Sequence, residues 1–289
     1  MKKLVFVVLL IIAGFHCFGQ DVTETFNSTR IVNSHSTEIL RKKMWEYRIE
    51  HRFGDIAGAN GGGQTAFGFD QAADIRMAME YGITDKLMAG LGRSKGIGRP
   101  YTSLCDLFLA GRFLTQNKEK HMPVSAALVQ TLYYTYMKQI NDGQSVAYFD
   151  NKFSRRVAYS TQLVLTRKFS DRFSLAIMPT YVHRNYVSQT DLNDLFSVGF
   201  AANFKITKSI GVILEYFANV ESENFRSDAM NSLGVGFEFV TNGHNFHINL
   251  TNARGFGELQ YVALTQENWL KGQFRLGFSI SRNFKIKTA

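Results

Sequence analysis

The sequence predicts an all-β chain, a transmembrane antiparallel up-and-down β-barrel of about 12 strands. Three observations predict it: an export leader, a period of two that sets aromatic residues against polar ones, and connections that alternate short and long. Composition is consistent with this. Of 289 residues, 45% are hydrophobic, including 25 Phe, 12 Tyr and 2 Trp, too apolar for a disordered chain. Mean hydropathy is nevertheless close to zero. The one long apolar run, residues 4–13, is too short and too terminal to span a membrane as a helix. Two cysteines exclude a disulfide scaffold and a multi-cysteine metal site.

Lys2 and Lys3 start the chain positively, residues 4–13 form an apolar core, and Cys17-Phe18-Gly19-Gln20 puts small residues at a cleavage site. Residues 1–19 therefore read as a secretory signal peptide. Cleavage there leaves 270 residues and lowers the formal charge from +9 to +7. Cys17 makes a poor lipid anchor, because Phe15 and His16 stand where small residues are wanted. Residues 20–43 are polar and end on Arg41-Lys42-Lys43. They read as a periplasmic N-terminal segment, either a tail or a short plug.

Residues 44–289 are assigned to the barrel. In the first segment Trp45, Tyr47, Ile49, His51 and Phe53 alternate with Glu46, Arg48, Glu50 and Arg52, the pattern of a strand between two unlike environments. In the second, Ile75, Met77, Met79 and Tyr81 alternate with Asp74, Arg76, Ala78 and Glu80. Residues 87–93 form a weaker strand. Residues 101–114 set Leu107, Leu109 and Phe113 against Asp106, Ala110 and Arg112. Residues 124–137 alternate poorly, with apolar or aromatic residues on both faces. Later segments repeat the pattern, among them Val212, Leu214 and Tyr216 against Gly211 and Glu215, and Leu233, Val235, Phe237 and Phe239 against Gly234, Gly236 and Glu238. The last sets Phe274, Leu276, Phe278, Ile280 and Phe284 against Gln273, Arg275, Gly277, Ser279, Ser281 and Asn283.

Connections give an independent test. Short ones fall near residues 83–86, 170–172, 207–209 and at Asn242-Gly243, with a somewhat longer one at 116–122. Long, polar ones fall at 54–72, 139–153, 221–231 and 253–271. Outer-membrane barrels have short periplasmic turns and long external loops. An even strand count then puts both termini in the periplasm. A soluble barrel with its apolar face inward normally has about eight strands.

Several segments resemble an outer-membrane β-barrel family of Bacteroidota classed as a domain of unknown function. They are Glu50-His51-Arg52-Phe53-Gly54, Phe67-Gly68-Phe69-Asp70, His183-Arg184-Asn185-Tyr186, and Gly243-His244-Asn245-Phe246 leading to Thr251-Asn252. The resemblance spans residues 44–286, and Gln20 after the cleavage point is similar to exported proteins of that phylum. It implies an outer-membrane barrel with no established activity.

The candidate site is a lumen charge ladder of Glu46, Arg48, Glu50, Arg52, Asp74, Arg76 and Glu80, joined on closure by Arg275. Alternating signs pair along and across strands. The ladder is either a selective constriction or a salt-bridged filling of a narrow lumen, since this strand number lies between filled and open barrels. Much of the chain's charge is thereby expected inside the lumen rather than on a surface suited to an acidic partner. His183 and Asn185 on the lipid face invite comparison with a lipid hydrolase, but no serine shares their face. The glycine-rich stretch 58–63 lacks the features of a phosphate loop, and the 7 His show no metal-binding spacing. No catalytic residue, cofactor, metal or nucleic-acid partner is assigned. The expected function is a narrow channel or transport-associated protein passing a small solute or ion. Two alternatives stay open: a docking component that meets envelope proteins through loops 54–72 and 253–271, and an outer-leaflet lipid-modifying enzyme.

Overall fold

A computed structural model describes residues 24–285, apart from 72, 73, 97, 144, 190 and 221–227. The signal-peptide assignment, with Lys2, Lys3 and Cys17, lies outside the described residues, as do Gln20 and most of the 221–231 connection. Twelve strands run in chain order: β1 (Met44–Asp55), β2 (Asp74–Thr84), β3 (Leu87–Lys95), β4 (Ser103–Leu114), β5 (Ser125–Thr135), β6 (Val157–Lys168), β7 (Phe173–Arg184), β8 (Asp194–Lys205), β9 (Ile210–Asn219), β10 (Ser232–Thr241), β11 (His244–Thr251) and β12 (Arg275–Lys285). Each pairs antiparallel with its sequence neighbours, and β1 pairs with β12 to close the barrel. Met44 stands opposite Lys285 and Trp45 opposite Phe284. Both ends of the barrel chain therefore leave from the end that carries the short turns.

Alternation sets the two faces. Leu107, Leu109, Leu128, Leu132, Phe196, Phe237 and Ile248 are exposed on the outside, while Glu46, Arg48, Glu50 and Arg52 of β1 are buried inside. A continuous exterior of large apolar side chains is unfavourable in water and favoured in hydrocarbon. Aromatic pairs mark the short-turn boundary: Trp45 packs on Tyr81 with centroids 4.6 Å apart, and Phe169 on Phe173 at 5.9 Å. Gly243 closes the turn between β10 and β11 at φ 92°, a conformation that glycine adopts without steric cost.

Residues 24–40 lie inside the barrel instead of hanging from it. They form a hairpin-like excursion in which the amide of Ile31 donates to the carbonyl of Ser34 and that of Ser36 to Thr29, both at 2.9 Å. Phe26, Ile31, Val32 and Leu40 are buried there. The segment joins β1 by passing against Gly82, where the Lys43 amide donates to the Gly82 carbonyl at 2.8 Å. A Cβ at Gly82 would lie 2.1 Å from the Arg41 carbonyl oxygen, so only glycine admits this crossing. From the opposite end the connection between β11 and β12 folds inward and carries helix α1 (Glu258–Ala263), every residue of which is buried.

This filling explains the strands that alternate weakly. The sequence predicts a small, polar or charged inner face on nearly every strand, residues 124–137 excepted, yet Met88, Phe108, Val129, Tyr133, Val164, Met178, Ile213 and Phe217 point inward and are buried. They share one apolar core with Ile31, Val32, Leu259, Tyr261 and Val262 of the two inserted segments. The lumen is thus uneven, with a dense charge cluster along β1 and β2 and apolar side chains interspersed with polar ones from β3 to β9, where the apolar groups have chain to pack against.

The exterior assignment has a measurable consequence. Leu107→Arg, at a position 53% exposed in mid-strand, is expected to cost about 2–4 kcal/mol for a barrel folded in phospholipid vesicles. Urea titration followed by tryptophan fluorescence measures it. A cost under about 0.5 kcal/mol, typical of a water-exposed surface, would contradict a lipid-facing position.

Candidate functional site

The lumen holds the candidate site, and its charged wall is built by register. Glu50 stands opposite Arg76, Arg48 opposite Ala78, and Glu46 opposite Glu80. Arg76 reaches Glu50 at 2.6 Å on one side and Asp106 of β4 at 2.6 Å on the other. Arg48 lies against Glu46 and 3.9 Å from Glu80, so one guanidinium separates two carboxylates that face each other across strands. Burying these charges is tolerable because each guanidinium meets carboxylates with directed N–H donors.

Three members of the expected ladder do something else. Arg52 is opposite Asp74 in register, but its guanidinium donates to the carbonyls of Ala253 and Gly255 and to Asn33 Oδ1. It also lies over the Phe256 ring, 4.6 Å from the centroid. Arg52 therefore joins the barrel wall to both inserted segments at once. Asp74 is taken by Arg254 at 3.1 Å. Arg275 does not join the ladder; it pairs with Glu267 at 2.6 Å and donates to the Phe53 carbonyl. The β1–β12 register shifts between Arg52 and Asp55, which sets Arg275 at the long-loop end.

The ladder supplies part of the fastening, since Arg48 donates to the Thr29 hydroxyl at 2.9 Å and that hydroxyl to Glu80 at 3.1 Å; further fastening groups lie outside it. Glu215 of β9 accepts the amides of Asn33 and Ser34, both at 3.0 Å, the Val32 amide at 3.3 Å, and the Ser34 hydroxyl at 2.6 Å. Glu238 of β10 accepts from Asn27 and Asn203. Thr25 and Thr37 meet Thr166 Oγ1 at 3.0 and 2.7 Å. On the other segment, Tyr133 donates to Glu258 and Gln162 to Tyr261. The two segments meet where His35 Nε2 lies 3.9 Å from Glu258 Oε1, with the His35 ring edge-on to Phe108, centroids 4.5 Å apart. Strand parity already placed Glu215 and Glu238 inside. What the sequence withheld was a reason to group them, since the donors that link them come from residues 27–34 of the hairpin.

Charge is distributed differently from the expectation. Buried carboxylates outnumber buried guanidinium groups among the described residues, so the chain's positive excess does not come from the lumen. It lies at the short-turn rim, where Arg41, Lys42, Lys43, Lys86, Lys120, Lys208, Arg282 and Lys285 are exposed. A cavity of about 330 Å³ opens at that end, between the inserted hairpin and β1, with Glu38 and Glu46 among its lining.

A sequence family described as "Membrane bound beta barrel domain (DUF5777)" matches residues 26–284. The chain belongs to that family. The matched range takes in most of the inserted N-terminal hairpin as well as the twelve strands. No curated protein matches the chain. Among solved structures it is similar to the NanC porin, at 9% identity over 84% of this chain and 100% of that one, with a TM-score of 0.50. It also resembles the KdgM porin, at 8% identity over 83% and 99% with a TM-score of 0.49. A third similar structure is an outer membrane channel from Pseudomonas putida F1, at 14% identity over 88% and 100% with a TM-score of 0.42. At 9% identity the likeness to the NanC porin is one of fold.

Two substitutions test the site. Arg76→Met leaves Glu50 and Asp106 buried without their shared partner and is expected to cost about 3–5 kcal/mol in vesicle unfolding; an unchanged midpoint would mean the pair is hydrated and dispensable. Glu215→Gln exchanges a charged acceptor for a neutral one, and amide hydrogen exchange at residues 32–34 should accelerate about tenfold. Unchanged protection there would show that the hairpin is held by its apolar contacts alone.

Proposed function

We propose that this protein is a narrow outer-membrane channel, closed at rest by its own N-terminal hairpin and by the connection between β11 and β12. One observation carries the reading: separable chain segments complete the filling of the lumen, packed against the inward side chains of the wall. The hairpin is hydrogen-bonded to the wall through side chains, chiefly Glu215, Arg52, Glu238, Thr166, Arg48 and Glu80. Such contacts break and reform without unravelling the β-ladder, because no strand pairing is involved. In this orientation the short turns and both ends of the barrel face the periplasm and the long connections face outward. The resemblance in residues 44–286 adds a Bacteroidota envelope as its setting.

A second reading, docking within an envelope assembly, draws on apolar side chains exposed at the long-loop end: Phe67, Phe69 and Leu270. The 253–271 connection offers less than its length suggests, since Ala253, Phe256, Leu259, Tyr261, Val262 and Ala263 are buried in the lumen. A catalytic role at His183 finds less support. Its Nδ1 is 2.7 Å from Asp194 and its Nε2 is 2.9 Å from Asn185 Oδ1, so neither ring nitrogen is left to activate a nucleophile.

Single-channel recording in planar bilayers tests the channel. The intact protein should show rare, small openings. Asn33→Pro with Ser34→Pro removes two amide donors and the Ser34 hydroxyl from Glu215, because proline has no N–H. This chain should show frequent, larger openings. A barrel that runs as folded on heat-modifiability gels yet carries no current in either form would refute the channel and leave docking.

A further inference from the structure

The bonding of the lumen carboxylates indicates what a released lumen would hold. On the charged wall, guanidinium groups stand among the carboxylates: Arg76 hydrogen-bonds both Glu50 and Asp106, and Arg48 hydrogen-bonds Glu46 and lies 3.9 Å from Glu80, to which Thr29 of the hairpin donates at 3.1 Å. Across the barrel the situation differs. Glu215 is 1% exposed, and among the described residues it forms no ion pair. Its four hydrogen-bond donors are the amides of Val32, Asn33 and Ser34 and the Ser34 hydroxyl, all from the inserted hairpin. Glu238 takes amide donors from Asn27 of the hairpin and from Asn203 of the wall, with His247 Nε2 at 3.9 Å.

The strands leave room beside both carboxylates. Glu215 stands opposite Gly234, and Glu238 opposite Gly211. A Cβ on Gly234 would come within 2.7 Å of Val32 Cγ1, so that space is occupied by the hairpin. Several N–H and O–H donors converging on one buried carboxylate reproduce what an ammonium or guanidinium group presents. A carboxylate stripped of those donors in a narrow lumen is costly until a cation or water replaces them.

We propose that the lumen, once the hairpin is displaced, takes cationic solutes, with Glu215 and Glu238 receiving their ammonium or guanidinium groups. The proposal rests on the channel reading. The cations at the short-turn rim do not oppose it: they are exposed and screened over roughly 10 Å by salt, whereas the lumen carboxylates act at contact distance.

The experiment uses the full chain carrying Asn33→Pro and Ser34→Pro, in planar bilayers under a KCl gradient, with spermidine as the probe cation. The reversal potential should show K⁺ preferred over Cl⁻ by about threefold or more, and spermidine should reduce the current while inorganic phosphate does not. Adding Glu215→Gln and Glu238→Gln should bring the permeability ratio close to unity and relieve the spermidine block. Chloride preference, or a ratio unmoved by the two glutamine substitutions, overturns the proposal and leaves the channel standing. A folded chain without current overturns the channel, and this proposal with it. Should the proline pair prevent folding, Gly234→Leu, which crowds Val32 out of its site, is measured in the same way with the same outcomes.

Discussion

Hydrocarbon offers no hydrogen-bond partner to a peptide group, and that constraint organises the rest of this molecule. A sheet can lie in a membrane only if no strand edge is left over, so β1 must find β12 across the whole length of the chain. Closure creates an interior, and with twelve strands that interior is too wide for wall side chains to fill. The sequence meets the geometric demand with non-strand chain: a hairpin from one end and a helix-bearing connection from the other. The buried ion pairs, the inward-facing aromatics and the meeting of His35 with Glu258 all follow from having chain inside a closed sheet.

The exterior and the strand count were legible because lipid imposes a simple rule. Trp45, Tyr47 and Ile49 must face out and Glu46, Arg48 and Glu50 must face in, and a period of two states this directly. The charge ladder was legible in part for the same reason, since parity identifies the inward residues and adjacent strands bring Glu50 to Arg76. Arg52 and Arg275 escaped because their partners lie on connections whose path no local pattern encodes. The aromatic inner face of β5 was visible as an irregularity: Tyr133 breaks the expectation of a polar lumen. It reads correctly only once a packing partner is known. Two inward-facing aromatics on neighbouring strands, Phe108 and Tyr133, were the available sign that the lumen was not simply wet.

Near-zero mean hydropathy follows from the same two-faced construction. The net charge has a different origin. Lumen groups mostly cancel and lean acidic, and the positive excess sits on the short-turn rim. The molecule therefore carries opposite charge biases in its interior and around one mouth, an arrangement that whole-chain arithmetic cannot reveal.

The hairpin's contacts also bear on the order of assembly. Thr25 bonds to Thr166, 141 residues away, and Asn27 to Glu238, 211 residues away. Contacts of such separation form late, because the intervening chain must first be ordered. The hairpin leads the barrel in sequence, yet the wall that receives it is complete only after β10 is placed. Either the N-terminal segment waits outside and enters through the short-turn mouth, or the last strands close around it. In both cases β1, directly tethered to the hairpin through residues 41–43, has to hold its free edge for β12 while its own leading segment is unsettled. The seam between β1 and β12 is thus where closure of the wall and seating of the hairpin meet.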